Sequence, residues 1–112
     1  MTDCAMLNIT IGGVHPSIVC VDIKNIGDCC DSLLEALKSD YKEEGIKELI
    51  ENYARTDEIK PQDKTLGFVV VNSDRHFISF SFANLDSKYI GLISSRADNF
   101  RKSGFTVEED LQ

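Results

Sequence analysis

A change in hydrophobic period is what most constrains this chain. Leu7, Ile9 and Ile11 alternate with Asn8 and Thr10, the period of a half-buried strand. Gly12-Gly13 and His15-Pro16 break the run, and residues 17–24 are rich in β-branched side chains. A second, more buried strand is therefore expected to complete a hairpin. After Gly27 the period lengthens. Cys30, Leu33, Leu34, Leu37 and Tyr41 fall at helical spacing, with Asp28 placed to cap the helix. Ile46, Leu49, Ile50 and Tyr53 mark a second amphipathic helix, and Gly45 reads as the break between the two.

The shorter period then returns. Residues 56–64 are polar and contain Pro61, so they read as a loop. Leu66 to Val71 is almost continuously apolar, His76 to Phe82 alternates, and Ser73-Asp74-Arg75 joins them tightly, which predicts a second hairpin. Ile78, Phe80 and Phe82 are expected to face the core, with Phe77, Ser79 and Ser81 on the other side. Tyr89, Ile93, Ala97 and Phe100 predict a third helix, begun by Asp86 or Ser87 and stopped at Gly104. Gly91 leaves a fifth strand over Tyr89 to Ile93 as the alternative. The last eight residues read as a short strand or a frayed tail. The order β-β-α-α-β-β-α predicts a single α+β domain over residues 1–112, with a mostly antiparallel sheet made of two hairpins and helices packed on it. Its expected core is Leu34, Leu37, Leu49, Ile50, Val70, Phe80 and Phe82. A chain of 112 residues can hold such a core without metals or disulfides.

Cysteines stand at 4, 20, 29 and 30. Neighbouring Cys29 and Cys30 cannot easily bridge each other, and no C-x-x-C pair occurs to suggest a redox motif or a zinc knuckle. Free thiols and a cytoplasmic location are expected, because an acid, Asp3, stands where a secretion signal would carry bases. The Asn8-Ile9-Thr10 glycosylation triplet then reads as chance. No apolar run approaches a membrane span.

The residues of most chemistries are missing. Gly12-Gly13 lacks the spacing of a phosphate loop, and neither G-x-S-x-G nor H-E-x-x-H occurs. His15 and His76 both sit beside predicted turns and read as polar loop residues. A Cys20 thiolate activated by either of them would need an electropositive setting that the local sequence does not supply. Asp22, the one acid in an apolar run, is expected to point outward. No enzyme activity, cofactor or metal is expected.

What remains is charge placement. Of a net charge of −7, residues 28–58 carry ten acids against four bases. Residues 88–104 are the reverse, with Lys88, Arg96, Arg101 and Lys102 against Asp98. On the second helix Glu43–Lys47 and Glu51–Arg55 are favourable pairs one turn apart, whereas Glu44 and Glu48 are like charges at that spacing. Such a face either solvates the helix or docks a basic partner. Bulk acidity argues against nucleic acid.

The leading expectation is a small acidic protein-binding domain of the inhibitor or immunity type, neutralising a basic protein such as a nuclease toxin. Its expected binding residues are Glu43, Glu44, Glu48 and Glu51, with Phe77 on an edge strand as a further candidate. Two alternatives stand beside it. One is a homodimeric scaffold or regulatory module joined at a hairpin edge. The other is a small enzyme or ligand-binding domain, which predicts a deep pocket with convergent polar groups.

Overall fold

The computed structural model of the chain describes residues 3–13, 17–55 and 64–112. It contains strand β1 (Cys4–Thr10), strand β2 (Ser17–Asp22), a single 3-10 turn at Ile23–Asn25, helix α1 (Ile26–Lys38), helix α2 (Lys42–Tyr53), strand β3 (Thr65–Asn72), strand β4 (Phe77–Phe82), helix α3 (Ser87–Lys102) and strand β5 (Thr106–Leu111). The five strands form one sheet in the order β2-β1-β3-β4-β5. His15 and the polar segment 56–63 lie outside the described residues.

The sheet is mixed, which corrects the mostly antiparallel expectation. Both hairpins exist, β1 with β2 and β3 with β4, but they join through a parallel β1–β3 pair. The last eight residues, from Phe105 onward, hold a fifth strand, which lies parallel to β4. Counting chain reversals explains both parallel pairs. β2 runs back along β1, then α1 and α2 traverse the sheet once each way, so β3 starts where β1 started. A single traverse by α3 likewise brings β5 to the starting end of β4. The true order is therefore β-β-α-α-β-β-α-β, and Tyr89 to Ile93 are helical.

Alternation decides which residues meet the helices. Ala5, Leu7 and Ile9 of β1, Val69 and Val71 of β3, and Ile78, Phe80 and Phe82 of β4 are buried on one face. Against them lie Ile26, Cys29, Cys30, Leu33 and Leu37 of α1, Ile46 and Leu49 of α2, and Ile93, Ala97 and Phe100 of α3. Leu34 and Ile50 are only partly buried beside this core. Val70 is not part of it: its side chain is 39% exposed on the opposite face. The run from Leu66 to Val71 is apolar on both faces, so its composition holds no phase. Gly45 lies inside α2 rather than before it, and a Cβ there would stand 2.9 Å from the Cβ of Ala36. It is the close-approach point of α1 and α2, and the break falls at Ser39–Tyr41 instead.

One clamp ties the two hairpins together at their turns. The Gly12 and Gly13 amides donate to the two carboxylate oxygens of Asp74, at 3.0 and 2.9 Å. Both glycines have positive φ, 67° and 71°, a backbone that side-chain-bearing residues resist.

Candidate partner-binding surfaces

The helices cover one face of the sheet and leave two surfaces for partners: the outer side of the helical layer and the bare face of the sheet.

On the outer side, Glu43, Glu44, Glu48 and Glu51 all project from α2 into solvent. Among the described residues no ion pair holds any of them. Arg55 lies past the end of α2 and its guanidinium approaches Asp22 at 3.6 Å instead, so the expected Glu51–Arg55 helical pair does not form. Asp22 does not simply face water either, since its side chain is 23% exposed beside that guanidinium. The four glutamates diverge around the helix. Glu43 and Lys47 border an open groove of about 350 Å³ floored by Ile9, Ile11, Ile46 and Ile50. Glu48 borders another, of about 340 Å³, in which it meets Glu35 and Ser32 of α1.

Two residues of this surface were not singled out by the sequence. Glu35 joins Glu48 only because α1 and α2 pack antiparallel. Tyr41 sits at helical spacing from Leu37, yet α1 stops at Lys38 and leaves the ring 72% exposed beside Glu43 and Glu44. A large exposed aromatic among acids is the composition of an interface anchor. The basic residues of α3 do not make an opposing patch. Arg96 holds Asp31 through two hydrogen bonds of 3.1 Å each, and Arg101 holds Asp98 and Glu109 at 2.7 and 2.9 Å.

Phe77 lies elsewhere. It is half-buried on the helix-free face, with β4 flanked by β3 and β5, so it is on neither an edge strand nor the surface that carries the glutamates. It lines an open depression of about 470 Å³ with Val70, Asn72, Arg75 and Thr106. Ile18 and Phe68 share this face, 59% and 52% exposed. His76, in the β3–β4 turn, rests its ring 5.4 Å from that of Phe105.

The cysteines are free and buried. Burial pushes the Cys29 thiol up from 9.0 to about 12. Burial and the adjacent Cys4 thiol push Cys20 to about 12 as well, and burial raises Cys30 also. These groups remain neutral thiols, the opposite of an activated nucleophile. Between pH 9 and 12 the unfolded chain therefore binds fewer protons than the native one, and stability should fall as pH rises through that window. Cys29→Ala, compared with wild type by urea unfolding at neutral and alkaline pH, should lessen the fall; an unchanged slope would mean that this thiol ionises freely in the native protein. Among the described residues no cluster of three or more His, Cys, Asp or Glu side chains is placed to hold a metal. No helix among them is long and apolar enough to cross a membrane.

These features define a two-layer α+β protein with a five-stranded mixed sheet and three helices on one side. The chain belongs to the family described as Thermoplasma acidophilum protein TA0956, whose model matches residues 1–110. It is similar to an NMR structure of TA0956, with 39% sequence identity, a TM-score of 0.82, and coverage of 98% of this chain and 99% of that one. No curated protein matches.

Proposed function

We propose that the chain is a non-catalytic protein-binding domain whose partner presents a basic surface, and that the outer side of α2 receives it. The observation that carries this reading is the set of four solvent-facing glutamates of α2, unpaired among the described residues, with the exposed ring of Tyr41 beside two of them, Glu43 and Glu44. Unpaired charge of one sign steers a partner of the other, and the aromatic ring adds apolar area where charge alone would give little affinity. Buried neutral thiols and open, shallow grooves favour binding over catalysis. An inhibitor that covers the basic active site of a protein such as a nuclease is the form of this function that the charge suits best.

Reversing Glu44 and Glu48 together to lysine tests it. Both are exposed, so stability should change by no more than about 0.5 kcal/mol per site. A partner captured from host lysate by the wild-type chain should be lost or depleted on the double variant. Its association, followed by stopped flow, should slow by roughly tenfold or more at low salt and lose its salt dependence. Equal capture and equal rates would leave the glutamates as a solvated helix face.

A further inference from the structure

We infer that the bare face of the sheet is covered by a second copy of this chain, the two sheets meeting face to face about a two-fold axis to give a four-layer α/β/β/α assembly. Strand register brings the apolar side chains of this face together. Met6 is level with Phe68 on one side and Cys20 on the other, and Asn8 is level with Val70 and Ile18. Ile18 of β2 is 59% exposed, and Phe68 and Val70 of β3 are 52% and 39% exposed, with β1 between the two strands. A contiguous apolar patch of this kind marks a contact surface.

Four observations select another copy as the occupant. The first is area. Five strands of six to eight residues, at about 4.8 Å between strands and 3.3 Å per residue, present a face roughly 20 Å on each side. Overlap at the three strands β2, β1 and β3, about 15 by 20 Å of that face, buries on the order of 1,000 Å² in total over the two copies, the lower end for a specific interface. The second is shape: the face is a twisted sheet, and a twisted sheet is what packs on another at about 30°. An isologous pair needs only that the patch be complementary to itself.

The third is charge. Each copy carries −7, so two copies associate only where like charge is kept apart. The apolar strands β2, β1 and β3 lie to one side of the sheet, while Glu108 and Asp110 occupy the outer strand β5 at the other. A two-fold axis through the apolar strands places the two β5 strands at opposite rims. The exposed glutamates of α2 stay on the outer layers, about 30 Å apart across two sheets and two helices, some three Debye lengths at ordinary salt.

The fourth is that both edges of the sheet resist the alternative of edge-to-edge pairing. On β2, Ala54 bridges Val21 and the Arg55 amide donates to the Cys20 carbonyl at 2.8 Å. On β5 the run Glu108-Glu109-Asp110 sets charge along the free edge, a common guard against strand addition. The dimer therefore forms through the face and not through a hairpin edge.

Sedimentation equilibrium of the full chain, from low micromolar to near-millimolar concentration, tests the inference. The mass-average should rise from 12.5 kDa toward twice that value, and added salt should leave the association unchanged or strengthen it. Phe68→Glu should weaken the dimer at least about thirtyfold while leaving the circular dichroism spectrum, and the melting of dilute monomeric protein, unchanged, and Ile18→Glu should weaken it independently. Glu44→Lys with Glu48→Lys should leave the dimer intact, which separates this surface from the one proposed for the basic partner. A chain that stays at 12.5 kDa throughout overturns the inference. So does a dimer that survives Phe68→Glu, or one that salt dissolves.

Discussion

Replacing Phe80 by alanine should lower stability by about 3–5 kcal/mol, read as a shift of the denaturant midpoint at constant slope. The ring is fully buried at the centre of β4 and meets Phe100 of α3 edge-on, with centroids 6.1 Å apart and planes at 65°. Phe100 in turn meets Phe105 at 5.4 Å and 88°. Removing Phe80 therefore opens a cavity and takes one member from a chain of aromatic contacts that holds α3 and the start of β5 to the sheet. Against a total of roughly 5–15 kcal/mol the loss is a large fraction. A midpoint that barely moves would mean that β4 faces the other way, with Phe77 and Ser79 inside.

A smaller substitution should do as much damage. Gly67 follows the irregularity in the β1–β3 register and pairs with Phe82 across β3 and β4. A Cβ on Gly67 would run into the carbonyl oxygen of Ser81 and stand 2.7 Å from the Cα of Phe82 and 2.6 Å from its ring. Two of those three obstacles are backbone, which cannot rotate aside as a side-chain end can. Gly67→Ala should therefore cost more than the 1–3 kcal/mol usual for an added methyl group, or prevent folding. Trimming Phe82 should not rescue it, because the Ser81 carbonyl remains. Gly91→Ala gives the contrast: that position is in the middle of α3, exposed, with nothing within 4 Å of an added Cβ. It should gain up to about 1 kcal/mol from helix propensity alone. If both substitutions behave alike in thermal melts, the close approach at Gly67 is not what the glycine serves.

The contrast between β3 and β4 shows what could be read ahead of the structure. In β4 serine alternates with large apolar residues, so Ile78, Phe80 and Phe82 could be assigned to the core from period alone. In β3 every residue from Phe68 to Val71 is apolar, and the side that meets the helices is fixed only by pairing with β1 and β4. The apolar run alone therefore assigns Val70 to the core, whereas its side chain is exposed on the bare face. Tyr41 was misplaced because helical spacing does not say where a helix stops. The parallel pairs depend on how many times the chain crosses the sheet, which no local pattern encodes. For the candidate sites, the uncompensated charge of Glu44 and Glu48 was legible from i,i+4 spacing. Their neighbours Glu35 and Tyr41 became so only once α1 and α2 had been placed, and Phe77 proved to be on another face.

The arrangement of strands also bears on how the chain reaches this state. Among the described residues the first half holds β1, β2, α1 and α2, the second holds β3, β4, α3 and β5, and the parallel β1–β3 ladder is the one strand pairing between them. Pairs inside each half close short loops, whereas Leu7 must find Val69 across more than half the chain. The entropy of that closure falls on a single seam. The seam is therefore expected to set the rate-limiting step: Leu7→Ala should slow refolding more than it speeds unfolding, while a change at the β5 end, such as Leu111→Ala, should act mainly on unfolding.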